Sequence, residues 1–166
     1  MKNPSIFPDL SDHSRVWTYA FQKKLADPEL GIVRDTLDDF LKDWNSHGVP
    51  VTGKYVILYN QFVILSTETT SELSGCSIDS SVRIFKFLKE EHGLDALNLN
   101  LVHFREGVTI RSVDRSAFPD QINSGKISSD TIVFNTTIQT LGEIRKGLWE
   151  TRLSNSWHAK AFKIPA

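Results

Sequence analysis

The only cysteine in the chain, Cys76, lies in the stretch SGCSIDSSVRIF, where an apolar helical pattern begins. A helix N-terminus exposes unpaired amides and carries about half a positive charge. A thiol placed there has its pKa lowered, which is one way reactive cysteines are made. Ser74, Ser77, Ser80 and Ser81 add hydroxyl donors around it, and Asp79 adds an acid that can orient a histidine. Two chemistries follow. One is a cradle for a small anionic ligand, built from Gly75, Cys76, Ser77, Asp79 and Ser80. The other is a cysteine-dependent enzyme with Cys76 as nucleophile, which needs a base within hydrogen-bond reach. Among His13, His47, His92, His103 and His158, the best-placed bases are His158 in SNSWHAKAF and His47 in WNSHG. Polar and aromatic residues surround both, outside the expected regular elements. Trp44 and Trp157 would line the same pocket if the two loops converge. The same residue types also serve an ordinary helix start, with Ser77 as N-cap, Asp79 in the first turn and Gly75 in the preceding turn.

Other site chemistries find less support. GVPVTGKY matches G-x-x-x-x-G-K through Gly48, Gly53 and Lys54, but Tyr55 stands where a phosphate loop needs Ser or Thr for magnesium. The expected elements are also reversed. A helix precedes this loop and a strand follows it, so phosphates would meet the wrong pole of a helix. No two histidines lie at i, i+4 and no second cysteine exists, so no metal site and no cofactor is implied. The acids of DTLDDF and KEEHG fall on helix faces expected to meet water, and no Gly-x-Ser-x-Gly occurs. Residues 145–166 hold five Lys or Arg against one acid, Glu150, a net of +4, interleaved with Trp149, Trp157 and Phe162. Such a mixture can hold single-stranded nucleic acid or act as an adaptor surface. Tryptophans in a tail more often anchor it to the core, so a small anionic ligand or a protein partner is expected in preference to nucleic acid.

The elements that must position these residues follow from periodicity. SRVWTYAFQKKL alternates aromatic and β-branched residues as a strand does. Asp27 as N-cap and Pro28 as first helical residue open a helix with Leu30, Val33, Leu37, Phe40, Leu41 and Trp44 on one face, ending by Gly48 and Pro50. KYVILY and FVILST read as a hairpin turning at Asn60 and Gln61. A second amphipathic helix runs from Ser77 through Ile78, Val82, Phe85 and Leu88 to Gly93. LNLVHFRE and VTIRSVD form another strand pair around Glu106 and Gly107. SAFPDQINSG is a short helix or turn, DTIVFNTTIQT a last strand, and the tail from Leu141 is irregular with a short helix at LGEIRKG. The expected fold is α+β in one domain over residues 1–166. It has an antiparallel sheet with two main helices on one face, a ferredoxin-like βαββαβ core, and extra C-terminal strands.

Composition bounds the setting. With 40% hydrophobic and 23% charged residues, a chain of 166 residues can bury a core, and its net charge of −1 gives no general affinity for polyanions. No apolar run is long enough to cross a membrane. The start MKNPSIFPDL lacks a secretory pattern, and one cysteine suits a reducing compartment, so a cytoplasmic protein is expected.

The segments SRVWTYAF, DWNSHGVP, SGCSIDSSV, DTIVFN and SWHAKAF resemble a family of small Bacteroidetes proteins often labelled ABC transporter ATPase. The resemblance spans most of the chain and implies no catalytic residue. The label conflicts with the residues themselves. ELSGCSID only echoes the LSGGQ signature, with Cys76 in place of its second glycine, and the phosphate loop is broken at Tyr55.

Overall fold

The computed structural model describes residues 5–46, 48–68 and 75–164, with the backbone alone at 46 and 75–78. In chain order the elements are β1 (Val16–Ala20), α1 (Asp27–Asp43), the short ribbon β2 (Asn45–Ser46) and β3 (Val49–Pro50), β4 (Gly53–Leu58) and β5 (Phe62–Thr67). They continue with α2 (Gly75–His92), β6 (Leu101–Glu106), β7 (Thr109–Asp114), α3 (Phe118–Asn123), β8 (Ile132–Phe134), α4 (Leu141–Arg145), β9 (Glu150–Arg152) and α5 (Trp157–Ala161).

The alternation in β1 is visible in its packing. Val16 and Ala20 enter one core with Phe62 and Ile64, whereas Tyr19 enters another with Val33, Leu37, Phe85 and Leu88. The sheet β1-β5-β4 is thus covered on both faces, and every residue of β5 is buried. The helices α1 and α2 lie on one face, as expected. The Tyr19 ring stacks on Phe85 at 3.6 Å, and its hydroxyl meets Ser81 Oγ at 3.0 Å. On the opposite face the sheet packs against the second one, β7-β6-β8-β9, through Phe134 and Trp149. The far side of that second sheet carries Val102, Phe104 and Val133, packed against Phe118, Ile127 and Leu153.

The α+β class and the antiparallel pairing follow the sequence pattern. The order β1-β5-β4 keeps the first, third and second strands of the expected ferredoxin-like arrangement, but its fourth strand, β6, does not join β1 and stands in the other sheet. The reason is that β7 and β8 already fill both edges of β6, leaving none for β1. The helix α1 begins one residue earlier than expected, with Asp27 inside it. Its entry is held by Glu29, whose Oε2 accepts from the Ala26 N–H at 2.7 Å. Helix α2 also starts early, at Gly75, so Ser77 lies within the helix rather than capping it, and Asp79 falls beyond the first turn. The tail is more regular than its sequence suggests. β9 pairs Thr151 with Val133, and α5 follows.

One glycine is fixed by close approach. A Cβ at Gly53 would stand 2.7 Å from Leu41 Cδ2 and 2.8 Å from the Trp44 ring. Gly53→Ala should therefore cost about 1–3 kcal/mol through overpacking. Urea unfolding followed by circular dichroism checks this, and an unchanged midpoint would remove the argument.

Candidate functional site

The residues singled out in the sequence fall in two separate places. Trp44 and Ser80 come together. With Phe40, Asp43, Asn45 and Arg83 they line a cleft of about 300 Å³ between the end of α1 and the early turns of α2. Asp43 and Arg83 bring opposite charges to it, and Asp79 is exposed nearby in sequence. Gly75, Cys76 and Ser77 belong to α2 by backbone, but their side chains lie outside the described residues, as do all of Ser74 and His47.

Trp157 and His158 are not part of that cleft. They open α5, where the two rings stack at 4.0 Å. His158 is 3% exposed, its Nδ1 lies 2.7 Å from Ser156 Oγ, and the Phe118 and Phe162 rings flank it. Burial, aided by the Arg115 charge, pushes its pKa down to about 4, so the imidazole is neutral near pH 7. His103 is likewise structural. Its Nε2 stands 3.1 Å from the Phe21 carbonyl oxygen. A carbonyl only accepts, so Nε2 carries the hydrogen, and burial lowers its pKa below the ordinary histidine value.

A second pocket, of about 350 Å³, lies between the turn joining β4 to β5 and the turn joining β6 to β7. Its cations are Lys24 and Arg105; Tyr59, Asn60, Gln61 and Thr109 supply polar atoms, and Val108 and Ile110 apolar surface. The pleat of β6 explains the placement. Val102 and Phe104 face the outer core, so His103 and Arg105 face the first sheet. Arg105 is held there from two sides. Its Nε donates to Glu150 Oε1 at 2.5 Å, and its guanidinium lies 4.7 Å from the Tyr59 ring centre. The second carboxylate oxygen of Glu150 accepts from the Tyr59 hydroxyl at 2.6 Å. Glu150 is 8% exposed and binds both partners at once.

The hairpin turn is built around this contact. Its central residues are Tyr59 and Asn60, one position earlier than the sequence suggests, with φ of 55° and 53°. The Gln61 N–H closes the turn on the Leu58 carbonyl at 3.1 Å. Asn tolerates this left-handed region, whereas a bulky aromatic is rare there and costs roughly 1–3 kcal/mol. The bond to Glu150 and packing beside Trp149 and Phe134 offset that cost. Buried Gln61 ties the turn to the loop carrying Lys24. Its Nε2 donates to the carbonyls of Phe21 and Gln22 at 3.0 and 3.2 Å.

Electrostatics follow the geometry. Burial raises the Tyr59 pKa and the Glu150 carboxylate adds to it, keeping the phenol protonated as a donor. Burial works against the Arg105 charge, but its bond to Glu150 outweighs this, so its pKa rises above the ordinary value. Lys24 is exposed and has no ion pair among the described residues.

Comparison with protein-family models, curated proteins and solved structures found no match.

The remaining motifs resolve into structure. Lys54 pairs with Asp9 and sits on a strand after Gly53, with α1 before the loop, so it does not project into a phosphate cradle. In the basic tail Arg145 binds Asp12 and the carbonyls of Phe7 and Leu10, and Trp149 is wholly buried. No described helix is long and apolar enough to cross a membrane. No described group of three His, Cys, Asp or Glu residues is arranged to hold a metal ion.

Proposed function

We propose that the chain binds a small anionic molecule in the pocket between its two hairpin turns. One observation carries this reading: a guanidinium fixed in advance by a buried carboxylate shares a concave site with a lysine that has no ion pair among the described residues. A pre-set cation binds an anion without first losing side-chain freedom, which is where much affinity is otherwise spent. The pocket volume lies at the lower end of the range for small-molecule sites. The cleft at the start of α2 serves an anion less well, because Asp43 lines it along with Arg83. A reducing compartment such as the cytoplasm suits a chain with a single cysteine.

A panel of phosphate, sulfate, nucleotides and small carboxylates should contain compounds that raise the melting temperature. At a ligand concentration one hundred times its Kd the added stability is about 2.7 kcal/mol. Lys24→Gln, at an exposed position, should shrink the shift without changing the stability of the free protein. A panel with no active member would overturn the reading.

A further inference from the structure

Resting on that anion-binding reading, we infer that Glu150 is the positioning residue of the pocket and that the ligand's head group is a single carboxylate. Glu150 takes Arg105 through Nε alone and spends its other oxygen on the Tyr59 hydroxyl. The contact is made at the Nε side, so the edge formed by the two Nη groups is not committed to a carboxylate among the described residues. That edge is planar and forked, and it matches two coplanar oxygens held by two parallel N–H···O bonds. The Tyr59 face beneath the guanidinium stops the fork from rotating away. The turn strain at Tyr59 thereby has a use, because it sets the ring and the hydroxyl that lock Glu150 and Arg105 together.

Charge count narrows the ligand. Lys24 and Arg105 bring two positive charges and Glu150 removes one, leaving a surplus of one. A monoanion balances it, whereas a dianion leaves an unbalanced negative charge beside buried Glu150. Around the cations, Asn60 and Thr109 offer uncharged hydrogen-bonding groups, and Val108 and Ile110 offer apolar contact. The ligand class is a small monocarboxylate with a polar, uncharged body.

The test sets positioning against bulk electrostatics. Glu150→Gln raises the positive charge of the pocket by one. A site working by charge alone would bind anions more tightly. A site working by presentation of a fixed guanidinium binds them more weakly, by about fivefold or more, since glutamine offers one acceptor oxygen in place of two, so the Nε bond loses its charge and the phenol must turn from donor to acceptor. Arg105→Lys keeps the charge and removes the fork, and should cost about tenfold. NMR titrations of the full chain with acetate, lactate, 3-hydroxybutyrate, their primary amides, succinate and inorganic phosphate provide the readout. Binding of a monocarboxylate but not its amide, weakened in both variants, supports the inference. Equal or tighter binding by either variant overturns it while leaving the anion pocket standing, and so does tightest binding of succinate or phosphate. No binding by any anion overturns both.

Discussion

Trp149→Ala should lower the unfolding free energy by about 3–5 kcal/mol, the range for removing a large aromatic from a well-packed interior. Trp149 has no exposed surface and stands where the two sheets meet. Its ring is perpendicular to Phe62 at 5.4 Å, edge-on to Phe134 at 5.3 Å, and parallel to Tyr59 at 6.1 Å. These partners come from β5, β8 and the hairpin turn, so one truncation empties a space that three elements line. The buried indole Nε1 has no hydrogen-bond acceptor among the described residues. Trp149→Phe removes that unpaired donor along with part of the volume, and should therefore be much milder than its lost size implies. Urea unfolding of both variants, followed by circular dichroism, checks the pair. A loss under about 1 kcal/mol for the alanine variant would show that the sheets close without this ring. Because Glu150 is the next residue, the alanine variant should also lose the anion pocket at temperatures where it remains folded.

The regular parts of the fold could be read from the sequence because their signals are local. The apolar stripe from Leu30 to Leu37 and the runs YVIL and FVIL announce themselves within a few residues, and all become buried or half-buried elements. Sheet membership could not be read in the same way. Whether LVHFRE pairs with SRVWTYAF or with IVF depends on edges supplied by segments far apart in the chain. The candidate site divides along the same line. Cys76 and its serines drew attention because they cluster in sequence; of the candidate residues whose side chains are described, Trp44 and Ser80 line one cleft while Trp157 and His158 stand elsewhere. The inter-hairpin pocket draws on Lys24, Tyr59, Arg105 and Glu150, which are scattered over the chain. Two signals for it were present. Glu150 is the lone acid in a basic segment, which invites the question of what it neutralises. Arg105 shares the pleat parity of His103 rather than of Phe104, and so falls on the inter-sheet face. The left-handed Tyr59 gave no signal, since residue type argues against that conformation and its contacts with Glu150, Trp149 and Phe134 come from distant parts of the chain.

Acidification from pH 7 to pH 4 should destabilise the protein, and replacing His158 by Gln should flatten that loss. In the unfolded chain this imidazole takes up a proton near its ordinary value of 6.5, whereas in the fold it does so only at about 4. Between those limits the unfolded state binds more protons, so stability rises with pH. The stabilisation is fully present above about 6.5, falls as pH drops through the window, and changes no further below about 4. A gap of that size corresponds to roughly 3 kcal/mol, at 1.36 kcal/mol for each pH unit. Its structural origin is specific: the ring sits between Trp157, Phe118 and Phe162, and the Arg115 guanidinium lies over the Trp157 ring at 5.0 Å, so a second positive charge is poorly received. His103 contributes in the same direction, because burial lowers its pKa as well. Glu143 acts lower in pH. Backbone N–H groups of Gln139 and Thr140 hold its carboxyl below the ordinary value, so its contribution fades only as pH falls below about 4.5. The His158 share is therefore isolated by the difference in slope between wild type and His158→Gln across pH 6.5 to 4, whatever the variant loses at pH 7 from the Ser156 contact. Equal slopes would mean that His158 titrates in the fold as it does in water, and the account of α5 as a closed aromatic cage around a neutral imidazole would have to be abandoned.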